Sequence, residues 1–299
     1  MLTPNALFDN LELLAKQVVE GYIIGLHKSP FHGFSVEFAE HRLYNQGDPL
    51  RHIDWRVFGR TEKLFIKRFE EETNLRCCVA IDTSSSMHFP QATGQLSKLQ
   101  YAIYAAACIM QLLKRQLDAT TLALFDEHIH FLSECRSAPS HYRMLTTILE
   151  QTLQTNTTGK PTDVVNALHE IAEKMHRRSL IILFSDMVQE QDSDRLFAAL
   201  QHLRYNKHEV LLFHLIEGSK ELRFEYENRP YEFVDMETGE KIKLQPNQIK
   251  ETYVTEMTAF LECIKQRCHQ YKIDYESIDL STPVEPILYR YLVKRNKMQ

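Results

Sequence analysis

The sequence lacks the segments that carry a chain into or across a membrane. No run approaches the roughly 20 apolar residues that a membrane-spanning helix needs, because even the first helical stretch is interrupted by Glu12, Lys16 and Glu20. The opening residues, Met1–Asn5, contain neither the basic segment nor the apolar region of a secretory signal. We therefore expect a cytoplasmic protein.

Several catalytic and redox signatures are also missing. The sequence contains no CxxC pair among its 6 cysteines, no G-x-x-x-x-G-K-[ST] phosphate loop, no H-E-x-x-H helix and no G-x-S-x-G elbow. Cys77, Cys78 and Cys108 lie in apolar segments and are expected to be reduced and buried. A net charge of -5 provides no overall field that would attract nucleic acid or an anionic membrane.

What is present is the pattern of a globular α/β protein. Hydrophobic residues make up 43% of the 299 residues and charged residues 25%, which is typical of folded domains. From Leu75 onward, continuous apolar runs alternate with helical periods, a pattern that predicts a doubly wound, mostly parallel sheet with helices on both faces. The predicted strands are Arg76–Ile81, Thr120–Phe125, Ile129–Ser133, Leu180–Phe184, Val210–Ile216 and Ile273–Ile278, with Asp126–Glu127 as a tight antiparallel turn. The predicted helices are Ser97–Gln116, Tyr142–Leu153, Asp163–Met175, Asp192–Tyr205, Ile249–Tyr271 and Val284–Lys294.

The composition changes along the chain predict two parts. Residues 1–74 are expected to form an amphipathic opening helix and a small β-rich module, which includes the strand-like pieces Phe34–Phe38 and Leu64–Ile66. Residues 75–299 are expected to form the large α/β domain. Within it, residues 218–246 are predicted to be a short β excursion, with strand-like alternation at Arg223–Tyr226 and Tyr231–Val234.

Oxygen-bearing side chains follow the ends of the predicted strands. Asp82, Ser84 and Ser86 come directly after the first buried strand, Thr162 precedes a helix, and Asp186 follows the strand Leu180–Phe184. Ligands of open α/β sheets bind at such strand ends, and hydroxyl and carboxylate oxygens suit a hard cation such as Mg²⁺. Taken alone, the serine run is equally compatible with a polar loop that caps the following helix. The convergence of three loops favours a metal site.

The order D-x-S-x-S, then Thr, then Asp resembles the metal-ion-dependent adhesion site (MIDAS) of von Willebrand factor A domains. The resemblance implies that Asp82, Ser84, Ser86, Thr162 and Asp186 hold Mg²⁺, with Mn²⁺ or Ca²⁺ as alternatives, and that a partner protein supplies a Glu or Asp carboxylate to an open coordination position. The sequence departs from the usual pattern of this site in two of its loops. Gly159-Lys160-Pro161 stands where paired glycines are often found, and Met187 stands where glycine is common.

A longer motif upstream narrows the resemblance. It is similar to the signature of the domain-of-unknown-function family fifty-eight (DUF58), and its residues are Gly33, Glu37, Phe38, Arg42, Tyr44, Gly47, Asp48, Arg51, Ile53, Asp54 and Trp55. Many such proteins are encoded beside MoxR-type AAA+ ATPases. The resemblance therefore implies a non-catalytic adaptor or co-chaperone that works with such an ATPase. Within the motif, charged residues predict a salt-bridge network that fixes the β module, and a docking face for the ATPase is the alternative.

One enzymatic alternative starts from the same residue. An Asp at the end of a buried first strand also begins the haloacid-dehalogenase phosphatase pattern, in which Asp82 would be the nucleophile. The acid/base carboxylate of that pattern is expected two residues later, where this sequence has Ser84. Its absence favours the binding module over the phosphatase.

Overall fold

The structure is a computed structural model, and it describes residues 10–28, 41–43, 55–61, 63–67, 75–91, 94–154, 164–187, 193–234 and 239–298. These residues fall into two compact units, one within Gly21–Asn74 and the other formed by the rest. The division predicted from the sequence, 1–74 and 75–299, stays a prediction.

The opening helix α1 (Leu11–Lys28) is present as predicted, and its first part belongs to the larger unit. Its buried stripe is Leu11, Ala15 and Val19, an i, i+4, i+8 spacing that places one apolar face against the domain. Lys114 Nζ contacts Glu12 Oε1 at 3.2 Å on the outer side of this helix. Among the described helices, none is long and apolar enough to cross a membrane.

The smaller unit contains short elements. Strand β1 (His41–Leu43) pairs antiparallel with β2 (Phe65–Lys67), and α2 (Trp55–Thr61) lies between them in the chain. Arg42 is in β1 and Trp55 begins α2, whereas Asp48, Arg51, Asp54 and the piece Phe34–Phe38 lie outside the described residues. The predicted salt-bridge network of the upstream motif therefore stays a prediction.

A six-stranded sheet forms the centre of the larger unit. In chain order its strands are β3 (Arg76–Asp82), β4 (Ala119–Phe125), β5 (Ile129–Leu132), β6 (Leu180–Ser185), β7 (Glu209–Ile216) and β10 (Asp274–Asp279). Within the sheet they lie side by side in the order β10-β7-β6-β3-β4-β5. All neighbours are parallel except β5, which pairs antiparallel with β4 at one edge. The predicted doubly wound, mostly parallel fold and its antiparallel turn at Asp126–Glu127 are confirmed.

Helices cover both faces of this sheet, which is why its central strands are continuous apolar runs. One face packs against α5 (Val164–Lys174), α6 (Ser193–Tyr205) and the end of α7 (Pro246–Gln270). On the other face α3 (Lys98–Arg115) contacts β3, β4 and β7, with α4 (Pro139–Gln154) and α8 (Glu285–Met298) beside it. The six predicted helices of this unit are thus present, with ends that differ by a few residues.

The β excursion differs from its prediction in one part. A hairpin of β8 (Tyr231–Val234) and β9 (Lys241–Leu244) is present, but the strand predicted at Arg223–Tyr226 is wrong. A π-helical turn, Gly218–Leu222, precedes that segment, and Phe224 has a φ of 49°, which no extended strand permits. The rings of Phe224 and Tyr226 instead contact each other edge to face, with centroids 4.9 Å apart.

Candidate functional site

The carboxyl ends of β3 and β6 mark the point where the strand order reverses. From β3 the chain continues to β4 on one side and returns to β6 on the other. Ligands of open parallel sheets bind in the crevice that such a reversal creates. Asp82 is the last residue of β3 and Asp186 directly follows β6, so both predicted carboxylates lie at this crevice.

The Asp82 carboxylate is completely buried and held on both oxygens. Its Oδ1 accepts a hydrogen bond from the backbone N–H of Ser84 at 3.0 Å, and its Oδ2 accepts from Ser185 Oγ at 2.7 Å. Between Asp82 and Ser84, Thr83 anchors the loop to β4, because its N–H and its hydroxyl both donate to the Phe125 carbonyl at 2.8 Å. The loop is therefore fixed by β4 and β6 together.

Ser84 and Ser86 place their hydroxyls side by side next to the carboxylates. The two Oγ atoms are 3.1 Å apart, and Ser86 also hydrogen-bonds the Asp186 side chain. Ser84 precedes the 3₁₀ turn Ser85–His88 without capping it. The interpretation of these serines as helix caps is therefore wrong.

The N-cap of the following helix α3 is Ser97. Its Oγ accepts from Gln100 N at 3.2 Å, and its own N–H donates to Gln100 Oε1 at 3.0 Å. This reciprocal capping box fixes the start of α3, and the next residue, Lys98, points into the crevice.

The Asp186 carboxylate is paired with a buried lysine. Lys98 Nζ lies 2.9 Å from Asp186 Oδ2 and also contacts Glu221 Oε1, and its side chain is 1% exposed. The Glu221 carboxylate is held in turn by its Oε2, which accepts from Glu217 N at 2.7 Å. A chain of charges thus links β6, the start of α3 and the π-helical turn after β7.

The two aspartates differ in their affinity for a proton. Burial and the nearby Asp186 charge raise the pKa of Asp82 to about 7. Burial opposes ionisation of Asp186 as well, but the Lys98 ammonium outweighs it and keeps the pKa of Asp186 below its usual range. Lys98 therefore keeps Asp186 ionised, and a proton shared by the pair resides on Asp82.

A buried histidine supports the Asp186 loop from β7. The His214 ring hydrogen-bonds the Asp186 backbone, and its Nδ1 is 3.0 Å from Tyr275 Oη. Burial lowers the pKa of His214 to about 4, so the ring is uncharged at neutral pH. It positions the loop without adding charge to the site.

Comparison with known proteins identifies the family. Residues 40–260 match the family described as Protein of unknown function DUF58, which is more than half of the chain. The chain belongs to the DUF58 family. An uncharacterised protein of Mycobacterium tuberculosis is 26% identical over 213 residues, 71% of this chain and 65% of the relative. The DUF58 chain therefore spans less than two thirds of the length of that relative.

Two solved structures are similar to this chain at low sequence identity. An aerotolerance-related membrane protein from Bacteroides fragilis is 15% identical, with a TM-score of 0.50 over 75% of this DUF58 chain and 99% of that chain. The SpRpn10 VWA domain is 11% identical, with a TM-score of 0.37 over 73% of this chain and 94% of that chain.

The structure of this DUF58 chain describes Met187, one of the two departures from the usual loop pattern, but neither the other departure nor the fifth predicted ligand, Thr162. Thr162 and Gly159–Pro161 lie outside the described residues, so the role of Thr162 as a ligand stays a prediction. Met187 is described, and its φ of 51° lies in the left-handed region that glycine adopts without strain. Its N–H donates to Ser185 Oγ at 3.2 Å, so the turn after Asp186 also holds the serine that contacts Asp82.

The donor set of the DUF58 site fits a small hard cation. Neighbouring oxygen ligands of octahedral Mg²⁺ are about 3 Å apart, because each metal–oxygen distance is about 2.0–2.1 Å. The 3.1 Å between Ser84 Oγ and Ser86 Oγ matches that spacing. In the described part of the chain no group of three or more His, Cys, Asp or Glu side chains is arranged for a metal, so hydroxyls would have to supply much of the coordination here.

Sequence reasoning missed three residues of this site: Ser185, Lys98 and Glu221. Lys98 is the first residue of a mostly apolar helix, where a cation opposes the helix dipole, and this unusual position is the one signal in the sequence. Glu221 lies 123 residues further along the chain in a turn with no recognisable motif, so only the tertiary structure reveals the contact.

Proposed function

We propose that this DUF58 chain is a non-catalytic protein-binding module whose binding depends on a divalent cation. Mg²⁺ is the expected ion, with Mn²⁺ and Ca²⁺ as alternatives. The observation that carries the proposal is the convergence of Asp82, Ser84, Ser86 and Asp186 at the crevice between β3 and β6. When bound, the cation offers a coordination position to an acidic side chain of the partner.

The residues of the chain have separate tasks in this proposal. Ser84, Ser86 and Thr162 would bind the cation through neutral hydroxyls, so that little of its charge is cancelled by the protein. The Asp82 and Asp186 carboxylates supply the negative charge, directly or through water. Ser185 and the Ser84 N–H orient Asp82, which keeps the donor set arranged before the cation arrives.

The site is less suited to phosphoryl transfer. Both oxygens of Asp82 accept hydrogen bonds and its side chain is fully buried, whereas a nucleophilic carboxylate must reach the phosphorus atom. The second position of the phosphatase pattern is Ser84, whose hydroxyl contacts Ser86. These observations support binding over catalysis.

We infer that a MoxR-type AAA+ ATPase is among the partners. Membership of the DUF58 family supports this, since many DUF58 proteins are encoded beside such ATPases. The sequence has no phosphate-binding G-x-x-x-x-G-K-[ST] loop, so energy from nucleotide hydrolysis would come from the partner. An acidic side chain of that partner would complete the cation's coordination.

The test is capture of partners from a native extract with Mg²⁺ and with chelator, using wild type, Asp82→Ala and Asp279→Ala. Asp279 is a matched control, because it ends β10 and its Oδ1 accepts from Ser281 N at 2.9 Å, as Asp82 accepts from Ser84 N. We expect wild type and Asp279→Ala to retain a MoxR-type ATPase in Mg²⁺ and to lose it in chelator. Equal capture by Asp82→Ala and wild type in both conditions would contradict the metal-dependent function.

A further inference from the structure

Lys98 is a buried cation directly beside the candidate metal centre. Its ammonium group is 2.9 Å from Asp186 Oδ2, contacts Glu221 Oε1 and lies 5.8 Å from the centre of the Phe89 ring. Burying an ammonium group is costly unless carboxylates compensate it, and the N-terminus of α3 repels it further. Asp186 and Glu221 compensate the buried ammonium, and its positive charge acts directly on any cation that Asp186 would bind.

The contacts of Lys98 fix the position of this charge. Ser97 and Gln100 form the capping box that fixes the first turn of α3. Glu221 holds the ammonium from the other side, and its second oxygen is fixed by Glu217 N. Glu221 therefore anchors the ammonium independently of Asp186, so that Lys98 would stay near Asp186 if the other Asp186 oxygen bound a second cation.

We propose that Lys98 is a specificity-determining residue that makes cation binding depend on an incoming carboxylate. This inference rests on the function proposed above. The ammonium neutralises part of the Asp186 charge and occupies its Oδ2, so that a divalent cation alone is held weakly. An acidic group that joins the cation restores the missing negative charge, and the two then bind tightly together. The site thus selects the cation and the carboxylate as a pair.

The experiment measures the affinity for Mn²⁺ alone, and then with excess acetate as the carboxylate probe, by equilibrium titration of the full chain. The variants are Lys98→Met, Lys98→Arg and the double variant Lys98→Met/Glu221→Gln. The double variant avoids leaving both Asp186 and Glu221 buried without a cation. Lys294→Met is the matched control. That lysine is also buried and bridges two carboxylates, Glu209 at 2.6 Å and Asp274 at 2.7 Å, but both begin strands at the opposite end of the sheet.

We expect Lys98→Met and the double variant to bind Mn²⁺ alone at least about tenfold more tightly than wild type, a difference of about 1.4 kcal/mol. Acetate should tighten Mn²⁺ binding by wild type and Lys98→Arg much more than by either Met variant. Lys294→Met should behave as wild type, although it is less stable. Equal or weaker Mn²⁺ binding by both folded Met variants would overturn the role of Lys98.

The results separate this inference from the function on which it rests. If wild type binds Mn²⁺ and the Lys98 variants do not differ from it, the inference fails and the proposed function stands. If neither wild type nor any folded variant binds Mn²⁺, with or without acetate, the metal-dependent function itself is refuted. If the Lys98→Met variants bind Mn²⁺ but wild type binds none even with excess acetate, the native site does not take the cation and the carboxylate as a pair, and both the inference and the metal-dependent function are refuted.

Discussion

Replacing Asp82 by Asn tests the electrostatics of the crevice most directly. In the protein without metal, burial and Asp186 raise the pKa of Asp82 from 3.8 to about 7. A carboxyl group with a raised folded pKa contributes stability below its unfolded pKa, and this stability is lost as the pH rises through the folded pKa. Asn has nearly the same shape as Asp and no charge, so the substitution removes the loss of stability at high pH. Ser185 can turn its hydroxyl to accept from the new amide.

The magnitude follows from the two pKa values. The difference between 3.8 and about 7 corresponds to about 4 kcal/mol at pH values above 7. In chelator near pH 8, we therefore expect Asp82→Asn to be more stable than wild type by up to about 4 kcal/mol. Near pH 5, where the folded wild type carries the proton, the advantage should shrink by about 2–3 kcal/mol.

Magnesium should remove much of the advantage of Asp82→Asn near pH 8. A cation that binds only the folded wild type adds about 2.7 kcal/mol at a hundred times its dissociation constant, whereas Asp82→Asn should gain little. The assay is urea unfolding of both proteins near pH 5 and pH 8, with chelator and with Mg²⁺. A stability difference in chelator that does not change with pH, or a less stable Asp82→Asn near pH 8, would refute the reasoning.

Two further substitutions test the framework that positions the site. Arg295→Met removes the guanidinium that holds the buried Asp118 carboxylate at 2.8 and 3.2 Å, and we expect a loss of about 3–5 kcal/mol in the free energy of unfolding. Arg290→Met, the control, removes an exposed ion pair and should cost less than about 1 kcal/mol; equal losses in the two variants would contradict the prediction. Ser97→Ala removes the capping box of α3 and should cost about 1 kcal/mol by urea unfolding; an unchanged midpoint would show that the packing of α3 alone fixes its start.

The large-scale fold could be predicted because its strands are buried on both faces. Continuous apolar runs such as Leu180–Phe184 have no helical period and are too short for buried helices, so they indicated strands within a residue or two of the observed ends. Helix starts were less well predicted. Helix α7 begins at Pro246, three residues before the predicted start, because proline is compatible with the first turn of a helix.

Four of the five predicted metal ligands could be placed in the fold, and the sequence found them for a topological reason. Asp82 and Asp186 end or follow parallel strands, and the carboxyl ends of parallel strands lie at one edge of the sheet. Ser84 and Ser86 needed only their spacing from Asp82. The motif therefore predicted, without knowledge of the strand order, where four oxygen-bearing side chains lie.

The sequence by itself thus determined the fold class and the positions of oxygen-bearing side chains at the strand ends, because periodicity and strand ends are local properties. Only the tertiary structure decided the charge of the site. The Lys98–Asp186 contact joins residues 88 positions apart, and Glu221 reaches the same ammonium from a turn beyond β7. The Lys98 ammonium then separates the pKa values of the two buried carboxylates Asp82 and Asp186, and its position depends on packing from several elements at once.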